Sequence, residues 1–322
     1  MRIGVDLMGS DTCPQILFEA VLQAVSLLGS SDTLVIYASS SLIQKLSKNF
    51  VPQIELKTTK DEILMSDDPF FAVRHKKKSS IVLGIKDLKK QELDAFISAG
   101  NTGALMASAT LYLSKLEGVR RLALLALLPT KNKPVALIDV GGNVSCKAHH
   151  LIQFAKIGAA YQSCLLNIEV PRVGLLNIGI ESKKGTFEVR QAYESLLKDD
   201  SSKMQFVGNI EGAQVFEGNV DVLVTSGVTG NILLKTAEGM ASFILETVAA
   251  ELEPVKSDTK TPLEKLNQQF SYAEYPGAIL SGIDGIVIKC HGYSSARAMY
   301  SSIKGAITLC RQDFLSKIKD RL

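Results

Sequence analysis

The chain has 322 residues, of which 46% are hydrophobic and 21% charged, so it can bury a large core. Lysine and arginine number 36 and aspartate and glutamate 33, and the resulting net charge of +3 argues against a surface built to bind nucleic acid. The five cysteines form no C-x-x-C pair, which argues against a zinc site or a disulfide framework and fits a reducing cytosol.

Short apolar runs alternate with helical patterns along almost the whole chain. This alternation predicts an α/β fold in which helices cover both faces of a mostly parallel sheet. The predicted strands are residues 2–6, 34–38, 54–57, 94–98, 122–128, 134–139, 173–177, 205–207, 220–225 and 285–289. The predicted helices are residues 14–28, 42–48, 102–116, 148–165, 189–198, 230–252 and 295–318.

The amino-terminal residues 1–6 already form a strand pattern that reaches an acid at Asp6, so we expect no signal peptide. The longest dense apolar run, residues 122–128, is too short to cross a bilayer. We therefore expect a cytoplasmic protein, which can still lie on a membrane surface.

The glycine turn at residues 98–104 (SAGNTGA) lies between a predicted strand and a predicted helix. Gly100 and Gly103 permit a sharp turn and the close approach of a ligand. Asn101 or Thr102 can cap the helix. The free amides of the first helical turn then suit an anionic group. The alternative interpretation is a capped turn that binds nothing.

Two other predicted strands end in an aspartate. Asp6 begins the segment DLMGSD, and Asp139 begins DVGGNVSCK, which also contains Asn143 and Lys147. These polar groups can surround a small ligand. Aspartate and asparagine are equally typical of turns and helix caps, so a purely structural role stays open.

Three later strands are also followed by glycine turns, which contain Lys184, Asn231 with Lys235, and His291. The carboxyl ends of parallel strands share one edge of a sheet, so these turns can gather amides and amines around an anion. No G-x-G-x-x-G, Walker A or G-x-S-x-G pattern occurs, which argues against a standard dinucleotide site, a P-loop and an elbow serine hydrolase.

The densest basic run is residues 74–80 (RHKKKSS). Such a run is typical of a solvated helix end, and the alternative is that it attracts an acidic partner. Ser79 is also placed to cap a following helix.

In this order the motifs resemble the phosphate acyltransferases of bacterial phospholipid synthesis, the PlsX family, over nearly the whole chain. The runs SAGNTGALM at residues 98–106 and GNIEG at residues 208–212 are the most specific. The other matching segments are residues 6–11, 74–80, 128–130, 139–143, 177–179, 230–235 and 289–292. This sequence departs from the family at Leu7, Ser10, Ile180 and Ser226, which affects the detail of the site more than the reaction.

The resemblance implies that an acyl group passes from acyl carrier protein to inorganic phosphate, and that a membrane acyltransferase uses the acyl phosphate to acylate glycerol 3-phosphate. It implies an isocitrate dehydrogenase/phosphotransacetylase-like three-layer αβα sandwich with a mostly parallel mixed sheet. We expect residues 1–322 to form a single domain of two interlocked lobes, usually a homodimer. We expect no cofactor and no metal.

Phosphate is already an anion near neutral pH, so this reaction needs positioning and oxyanion stabilisation more than a strong base. We predict Lys184 and Asn231 as the catalytic residues. The predicted substrate- and phosphate-binding residues are Asp6, Ser98, Gly100, Asn101, Thr102, Gly103, Asp139, Asn143, Lys235 and His291. Because the carrier protein is acidic, we predict that it docks on Arg74, Lys76 and Lys77.

Apolar residues recur at helical spacing before the polar stretch 253–261, and Leu263, Leu266 and Phe270 form a shorter stripe after it. We predict a protruding amphipathic hairpin within residues 253–272 that contacts lipid or the acyl chain, consistent with the peripheral membrane association of the family. A stripe packed in the core is the alternative.

Three alternative functions stay open. A phosphotransacetylase that acts on acyl-CoA would share the fold and the chemistry. A catalytically inactive protein that binds a lipid or an acyl carrier would explain the departures at Ile180 and Ser226. An isocitrate-type dehydrogenase would need a carboxylate metal cluster and a nucleotide site, and the sequence contains neither pattern.

Overall fold

The computed structural model describes residues 1–46, 51–252 and 275–322. The strands, numbered β1 to β11 in chain order, are Arg2–Asp6, Thr33–Ser39, Ile54–Thr59, Ala95–Ser98, Ala123–Leu128, Val135–Ile138, Arg172–Leu176, Gln205–Ile210, Val222–Val224, Ala278–Ser281 and Ile286–Lys289. The α-helices, numbered α1 to α10, are Pro14–Ala24, Ser40–Leu46, Pro69–His75, Ser80–Lys89, Thr102–Tyr112, Ala148–Leu166, Phe187–Leu197, Gly227–Leu252, Ala296–Arg311 and Phe314–Arg321. Short 3₁₀ helices span Val25–Leu27 and Gly212–Glu217.

The chain divides into two compact units. Unit 1 comprises Met1–Leu125, Cys164–Asn167 and Pro276–Leu322, and unit 2 comprises Ala126–Ser163 and Ile168–Tyr275. The expectation that they form one domain of two interlocked lobes stays a prediction.

The sheet of unit 1 has the strand order β3-β2-β1-β4-β11-β10-β5. Its neighbours are parallel except that β10 runs antiparallel to both β11 and β5. The strands are short apolar runs because both faces of the sheet are buried, and β4 is fully buried along its length. Helix α4 packs against β1 and β4, α9 packs against β4 and β11, and α1 packs along α9.

The strands of unit 2 have the order β6-β9-β7-β8 and are all parallel. Helix α6 packs closely on β9, since a Cβ on Gly158 would lie 2.4 Å from a methyl carbon of Val222. Gln162 of the same helix donates to the carbonyl oxygens of Pro134 and Asp221, at 3.0 Å and 2.5 Å. These contacts hold α6 against the parallel strands, whose carboxyl ends carry the glycine turns.

Each predicted strand is present with small changes of boundary, and the α/β class with a mixed, mostly parallel sheet is confirmed. The single helix predicted at residues 295–318 is wrong, because the structure has two helices there, α9 and α10. Asp313 between them adopts a left-handed backbone (φ 51°), which interrupts the helix. The bounds of α3 and α4 were not predicted, although the basic run was interpreted as a helix end and Ser79 as the cap of a following helix. The antiparallel β10 was not predicted.

Ser79 stands at the amino terminus of α4 as predicted, but its side chain makes no capping hydrogen bond. Its Oγ is buried without a hydrogen-bond partner among the described residues. The predicted hairpin at residues 253–272, with Leu263, Leu266 and Phe270, lies outside the described residues. Among the helices that the structure describes, none has the length and apolarity needed to cross a membrane.

Candidate active site

In unit 1 the parallel strands β1, β4 and β11 end side by side, with Asp6 opposite Ser98 and Ser98 opposite Lys289. The Ser98 hydroxyl donates to Asp6 Oδ2 at 2.7 Å and accepts from the Gly100 amide at 3.1 Å. The Met8 amide donates to Asp6 Oδ1 at 2.8 Å. Asp6 and Ser98 therefore shape two turns at the carboxyl ends of β1 and β4.

The Asp6 carboxyl is fully buried. Burial raises its pKa to about 6, against the opposing effect of hydrogen bonds from Ser80, Met8 and Ser98. The carboxyl group can therefore change its protonation state within the turn as the pH approaches neutrality.

Asn101, one of the two predicted candidates, caps α5: its Oδ1 accepts from the Ala104 amide at 3.0 Å. Its Nδ2 group donates to the carbonyl oxygens of Leu64 and Met65, both at 3.1 Å. The side chain thus joins the start of α5 to the loop before α3. Helix geometry leaves the amides of Thr102 and Gly103 without intrahelical acceptors, as expected for a site that receives an anion.

The group that closely approaches Gly103 is Pro69 of α3 and not a ligand. A Cβ on Gly103 would lie 2.5 Å from Pro69 Cγ, so the glycine lets α3 pack against the start of α5. A ligand that uses the amides of this turn must approach from another side of the loop.

Lys289 is a buried residue at the same edge that the sequence-based site did not include. Its side chain is 7% exposed, and its Nζ lies 3.4 Å from the Ala99 carbonyl oxygen and also contacts that of Cys290. The sequence feature that could have identified Lys289 is its position at the end of an otherwise apolar strand. The predicted His291 lies two residues further on, and its carbonyl oxygen accepts from the Ser294 amide and hydroxyl, at 3.1 Å and 2.7 Å.

In unit 2 the turn after β6 is organised by Asp139. Its Oδ1 accepts from the Gly142 amide at 2.9 Å, and its Oδ2 accepts from Asn143 Nδ2 at 2.7 Å. Both Asp139 and Asn143 are buried. The predicted pair is thus brought together, as a rigid support beneath the turn.

The start of α8 packs directly on this turn. A Cβ on Gly227 would lie 2.4 Å from the Asn143 carbonyl oxygen, and one on Gly230 would lie 1.9 Å from the Asp139 carbonyl oxygen. Asn231 is exposed, and its Oδ1 lies 3.6 Å from the position of a Cβ on Gly141. Glycine at both helix positions is therefore what allows α8 to begin against the Asp139 turn, with Asn231 at its first exposed positions.

The two predicted lysines of unit 2 are accessible. Lys235, one helical turn beyond Asn231 on α8, donates to Glu238 Oε2 at 2.9 Å. Lys184, in the loop after β7, is 49% exposed, and its Nζ lies 4.0 Å from Glu181 Oε1. Because β6, β9 and β7 are adjacent and parallel, Asp139, Asn231 and Lys184 all follow strand ends at the carboxyl edge of this sheet.

Two side chains of the basic run at residues 74–78 have partners within the fold, and one of them is His75, whose Nδ1 lies 2.8 Å from the Phe71 carbonyl oxygen. Lys76 Nζ forms an ion pair with Asp67 Oδ2 at 2.5 Å, whereas Arg74 and Lys77 are exposed. Phe70 and Phe71 of α3, at the start of the same segment, are 69% and 63% exposed. We call Phe70, Phe71, Arg74 and Lys77 the α3 surface, which combines aromatic and basic groups.

Within the described ranges, no group of three or more histidine, cysteine, aspartate or glutamate side chains is arranged to hold a metal ion. The polar residues at the two carboxyl edges are instead amides, hydroxyls, single carboxylates and amines. Such groups bind and orient an anionic substrate and stabilise charge that develops on an oxygen.

The fold and the order of these motifs agree with one protein family. The family described as "Fatty acid synthesis protein" matches residues 1–317. The chain is 39% identical to the phosphate acyltransferase of Thermoanaerobacter pseudethanolicus, over 100% of this chain and 97% of that protein. It is 36% identical to the phosphate acyltransferase of Chlamydia caviae, over 100% of this chain and 99% of that protein.

Solved structures agree on the fold. A phosphotransacetylase from Streptococcus pyogenes has a TM-score of 0.64 at 17% identity and covers 98% of this chain and 94% of its own. The EutD phosphotransacetylase from Staphylococcus aureus has a TM-score of 0.61 at 15% identity, with coverages of 96% and 94%. This is the phosphotransacetylase-like fold that the sequence predicts. The chain belongs to the fatty acid synthesis protein family, and it is an acyltransferase.

The buried Asp6 carboxyl predicts a pH-dependent stability. Its pKa is raised from the usual 3.8 to about 6, so the folded chain binds this proton more tightly than the unfolded chain. The contribution of Asp6 to stability is therefore favourable at low pH and declines as the pH rises, by about 1 kcal/mol between pH 5 and pH 7. Asp6→Asn should remove this decline in urea-unfolding measurements, whereas surface Asp200→Asn should keep it. Equal pH slopes for Asp6→Asn and the unmodified protein would contradict the prediction.

The start of α8 predicts a second, position-specific effect. Gly230→Ala places a methyl group against the Asp139 carbonyl oxygen and should lower the free energy of unfolding by about 3 kcal/mol. Gly239→Ala, in open space on the same helix, should raise it by about 0.5–1 kcal/mol, because alanine is the better helix former. Chemical denaturation of both variants tests this, and similar stabilities would show that the α8 contact is unimportant.

Proposed function

We propose that this protein transfers a fatty acyl group from the thioester of acyl carrier protein to inorganic phosphate. A phosphate oxygen attacks the thioester carbonyl carbon, a C–O bond forms, and the C–S bond breaks to release the carrier thiolate, which takes up a proton. The products are acyl phosphate and free carrier protein. A membrane acyltransferase that acylates glycerol 3-phosphate would then consume the acyl phosphate in glycerophospholipid synthesis.

The carboxyl edge of unit 2 is the observation that supports this chemistry most directly. It combines a rigid turn around Asp139, the start of the long helix α8 with Asn231, and the exposed amine of Lys184. Unpaired amides at a helix start and a nearby cation are the groups that an oxyanion and a phosphate require. Phosphate is itself the nucleophile, so a nucleophilic side chain with its own base is unnecessary.

In this proposal Lys184 neutralises negative charge on phosphate and on the developing thioester oxyanion. Asn231 donates its side-chain amide to one of the same oxygens, and Lys235 adds positive charge one helical turn away. Asp139 and Asn143 act through the shape of the turn, since their side chains are bonded to each other. In unit 1, the turn at residues 98–103 presents amide donors of its own that suit an anionic group.

We propose that the acidic carrier protein docks on the α3 surface. Arg74 and Lys77 supply exposed positive charge, and Phe70 and Phe71 supply apolar area for a protein partner. Lys76, which was predicted as a docking residue, contributes less in this proposal because Asp67 already neutralises its charge.

We also propose a homodimer in the cytoplasm that contacts the membrane peripherally. Met240, Phe243 and Ile244 of α8 are 50%, 63% and 51% exposed, and such apolar exposure is typical of a surface that another protein or a lipid layer covers. In this proposal neither the homodimer nor the membrane contact takes part in the chemical step.

A phosphotransacetylase that uses acyl-CoA is the second candidate. The solved structures named phosphotransacetylase share the fold, and the proposed chemistry at the thioester is the same for both donors. The preference between carrier protein and CoA therefore decides between the two functions.

The proposed reaction predicts a phosphate-dependent product. Purified protein mixed with palmitoyl-carrier protein should form acyl phosphate, trapped by hydroxylamine, only when phosphate is present. Lys184→Ala and Asn231→Ala should each lower kcat/KM by about 100-fold, because each removes a group that stabilises the oxyanion or phosphate. Lys183→Ala, which removes a neighbouring exposed lysine, is the matched control.

Near-normal turnover by folded Lys184→Ala and Asn231→Ala proteins would refute these catalytic assignments. Much faster reaction with palmitoyl-CoA would favour the phosphotransacetylase. A folded protein that forms no product with either donor would be better explained as a binding protein.

The α3 surface predicts a salt-dependent KM. The double charge reversal Arg74→Glu and Lys77→Glu should raise the KM for acyl carrier protein about tenfold at low salt, and less at 0.5 M salt, because salt screens surface charges. The KM for phosphate should not change. Lys45→Glu, which reverses an exposed charge on α2, is the control. An unchanged KM for the carrier protein in the double variant would contradict the docking proposal and favour the interpretation of the basic run as a solvated helix end.

A further inference from the structure

The segment at residues 177–185, which we call the lysine loop, connects β7 to the turn before α7 and carries Lys184. Both peptide groups of Lys184 are held by hydrogen bonds. Its amide donates to the Glu181 carbonyl oxygen at 3.1 Å, and its own carbonyl oxygen accepts from Asn177 Nδ2 at 3.1 Å. The backbone of an exposed lysine is thus fixed on both sides.

Asn177 closes the lysine loop from its first residue. While its Nδ2 reaches the Lys184 carbonyl oxygen, its Oδ1 accepts from the Ile178 amide at 2.8 Å. Its own amide donates to the Ile210 carbonyl oxygen of β8 at 2.9 Å, which anchors it to the sheet. One side chain therefore joins the two ends of the loop to a rigid strand.

Asn209 holds the middle of the loop from β8. Its Nδ2 donates to the Glu181 carbonyl oxygen at 2.9 Å, the same oxygen that receives the Lys184 amide. Asn209 is 5% exposed, and its Oδ1 has no hydrogen-bond partner among the described residues, so its polar contact with the loop is this donation. The register of β8 against β7 shifts between Val173 and Gly174, an irregularity of the kind that redirects strand side chains.

Two glycines adapt the loop to this arrangement. Gly185 has φ 87°, and a Cβ on it would lie 2.5 Å from Asn177 Oδ1, so the Asn177 amide group occupies the space that a side chain would need. A Cβ on Gly179 would lie 3.1 Å from Lys184 Cγ, so the lysine stem passes closely over this glycine. The lysine therefore leaves the loop in a defined direction.

We propose that Asn177 and Asn209 are positioning residues that act through Lys184. Asn177 binds the Lys184 carbonyl oxygen, and Asn209 binds the Glu181 carbonyl oxygen that also receives the Lys184 amide. These bonds restrict the loop to one conformation, in which the lysine amine is placed to contact phosphate and the thioester. This inference rests on the proposed function, in which Lys184 contacts the reacting oxygens. Neither asparagine contacts the substrate, and their effect on the rate is transmitted by the position of the lysine.

The test is a double-mutant cycle with an isosteric substitution. Asn177→Asp keeps the acceptor for the Ile178 amide but loses the donor to Lys184, and should lower kcat/KM for phosphate about tenfold to hundredfold. In the Lys184→Ala background the same change should have less than a threefold effect, because the lysine through which it acts is gone. Asn209→Ala, which buries no new charge, is the second variant, and Asn132→Asp on the surface of unit 2 is the matched control.

A structural readout accompanies the kinetics. Hydrogen–deuterium exchange of peptides covering residues 178–186 should be at least tenfold faster in Asn177→Asp and Asn209→Ala, while peptides from α6 keep their rates. Thermal unfolding confirms that each variant is folded.

Three results would overturn the inference or separate it from the proposed function. Losses in kcat/KM that are as large without Lys184 as with it would overturn the proposal, because a general structural defect would be additive. Unchanged exchange in the lysine loop would overturn it as well. Normal turnover by Lys184→Ala would refute the proposed function of the lysine, whereas faster exchange in Asn177→Asp would still show that the asparagine holds the loop.

Discussion

This structure depends on one constraint: backbone groups that lose their hydrogen-bond partners where a parallel strand ends must find new ones. A strand that leaves the sheet to start a helix exposes backbone amides and carbonyls that need partners. In this chain the partners are short polar side chains at or just beyond the strand ends: Asp6 at the end of β1, Asp139 after β6 and Asn177 after β7. Each accepts from an amide one to three residues further on and so sets the direction of the following loop.

The same constraint explains why turn-forming and substrate-binding residues are difficult to separate here. A side chain that is bonded to its own turn orients the remaining amides of that turn without contacting the substrate. Asn101 illustrates this, because its Oδ1 and Nδ2 are both bonded within the protein while the amides after it stay available at the helix start. Motifs such as SAGNTGA therefore specify a backbone shape first, and the chemistry follows from that shape.

Much of the fold could be predicted because parallel strands buried on both faces are continuous apolar runs, and the boundary of each predicted strand is within three residues of the observed one. The antiparallel β10 was missed, since its four residues have no local pattern that distinguishes them from a loop. For the site, the sequence predicted that Asn101 or Thr102 caps α5, and the structure shows that Asn101 is the cap. The sequence could not show that Pro69 fills the space beside Gly103, that Asp67 neutralises Lys76, or that Asn209 reaches Glu181 across 28 residues, because these contacts depend on tertiary packing.

The two carboxyl edges differ in a way that bears on their roles. In unit 1 the ionisable groups Asp6 and Lys289 are buried and surrounded by backbone and hydroxyl partners, which suits a rigid scaffold. In unit 2 the charged amines of Lys184 and Lys235 are about half exposed, above turns that Asp139, Asn143 and Asn177 make rigid. A reaction between two anionic partners needs positive charge that is both accessible and held in place. A mobile lysine also adopts conformations that do not reach the oxyanion, and those conformations do not contribute to catalysis. Fixing the backbone of an exposed lysine meets both requirements, and on this ground we propose that the chemical step takes place at the lysines of unit 2.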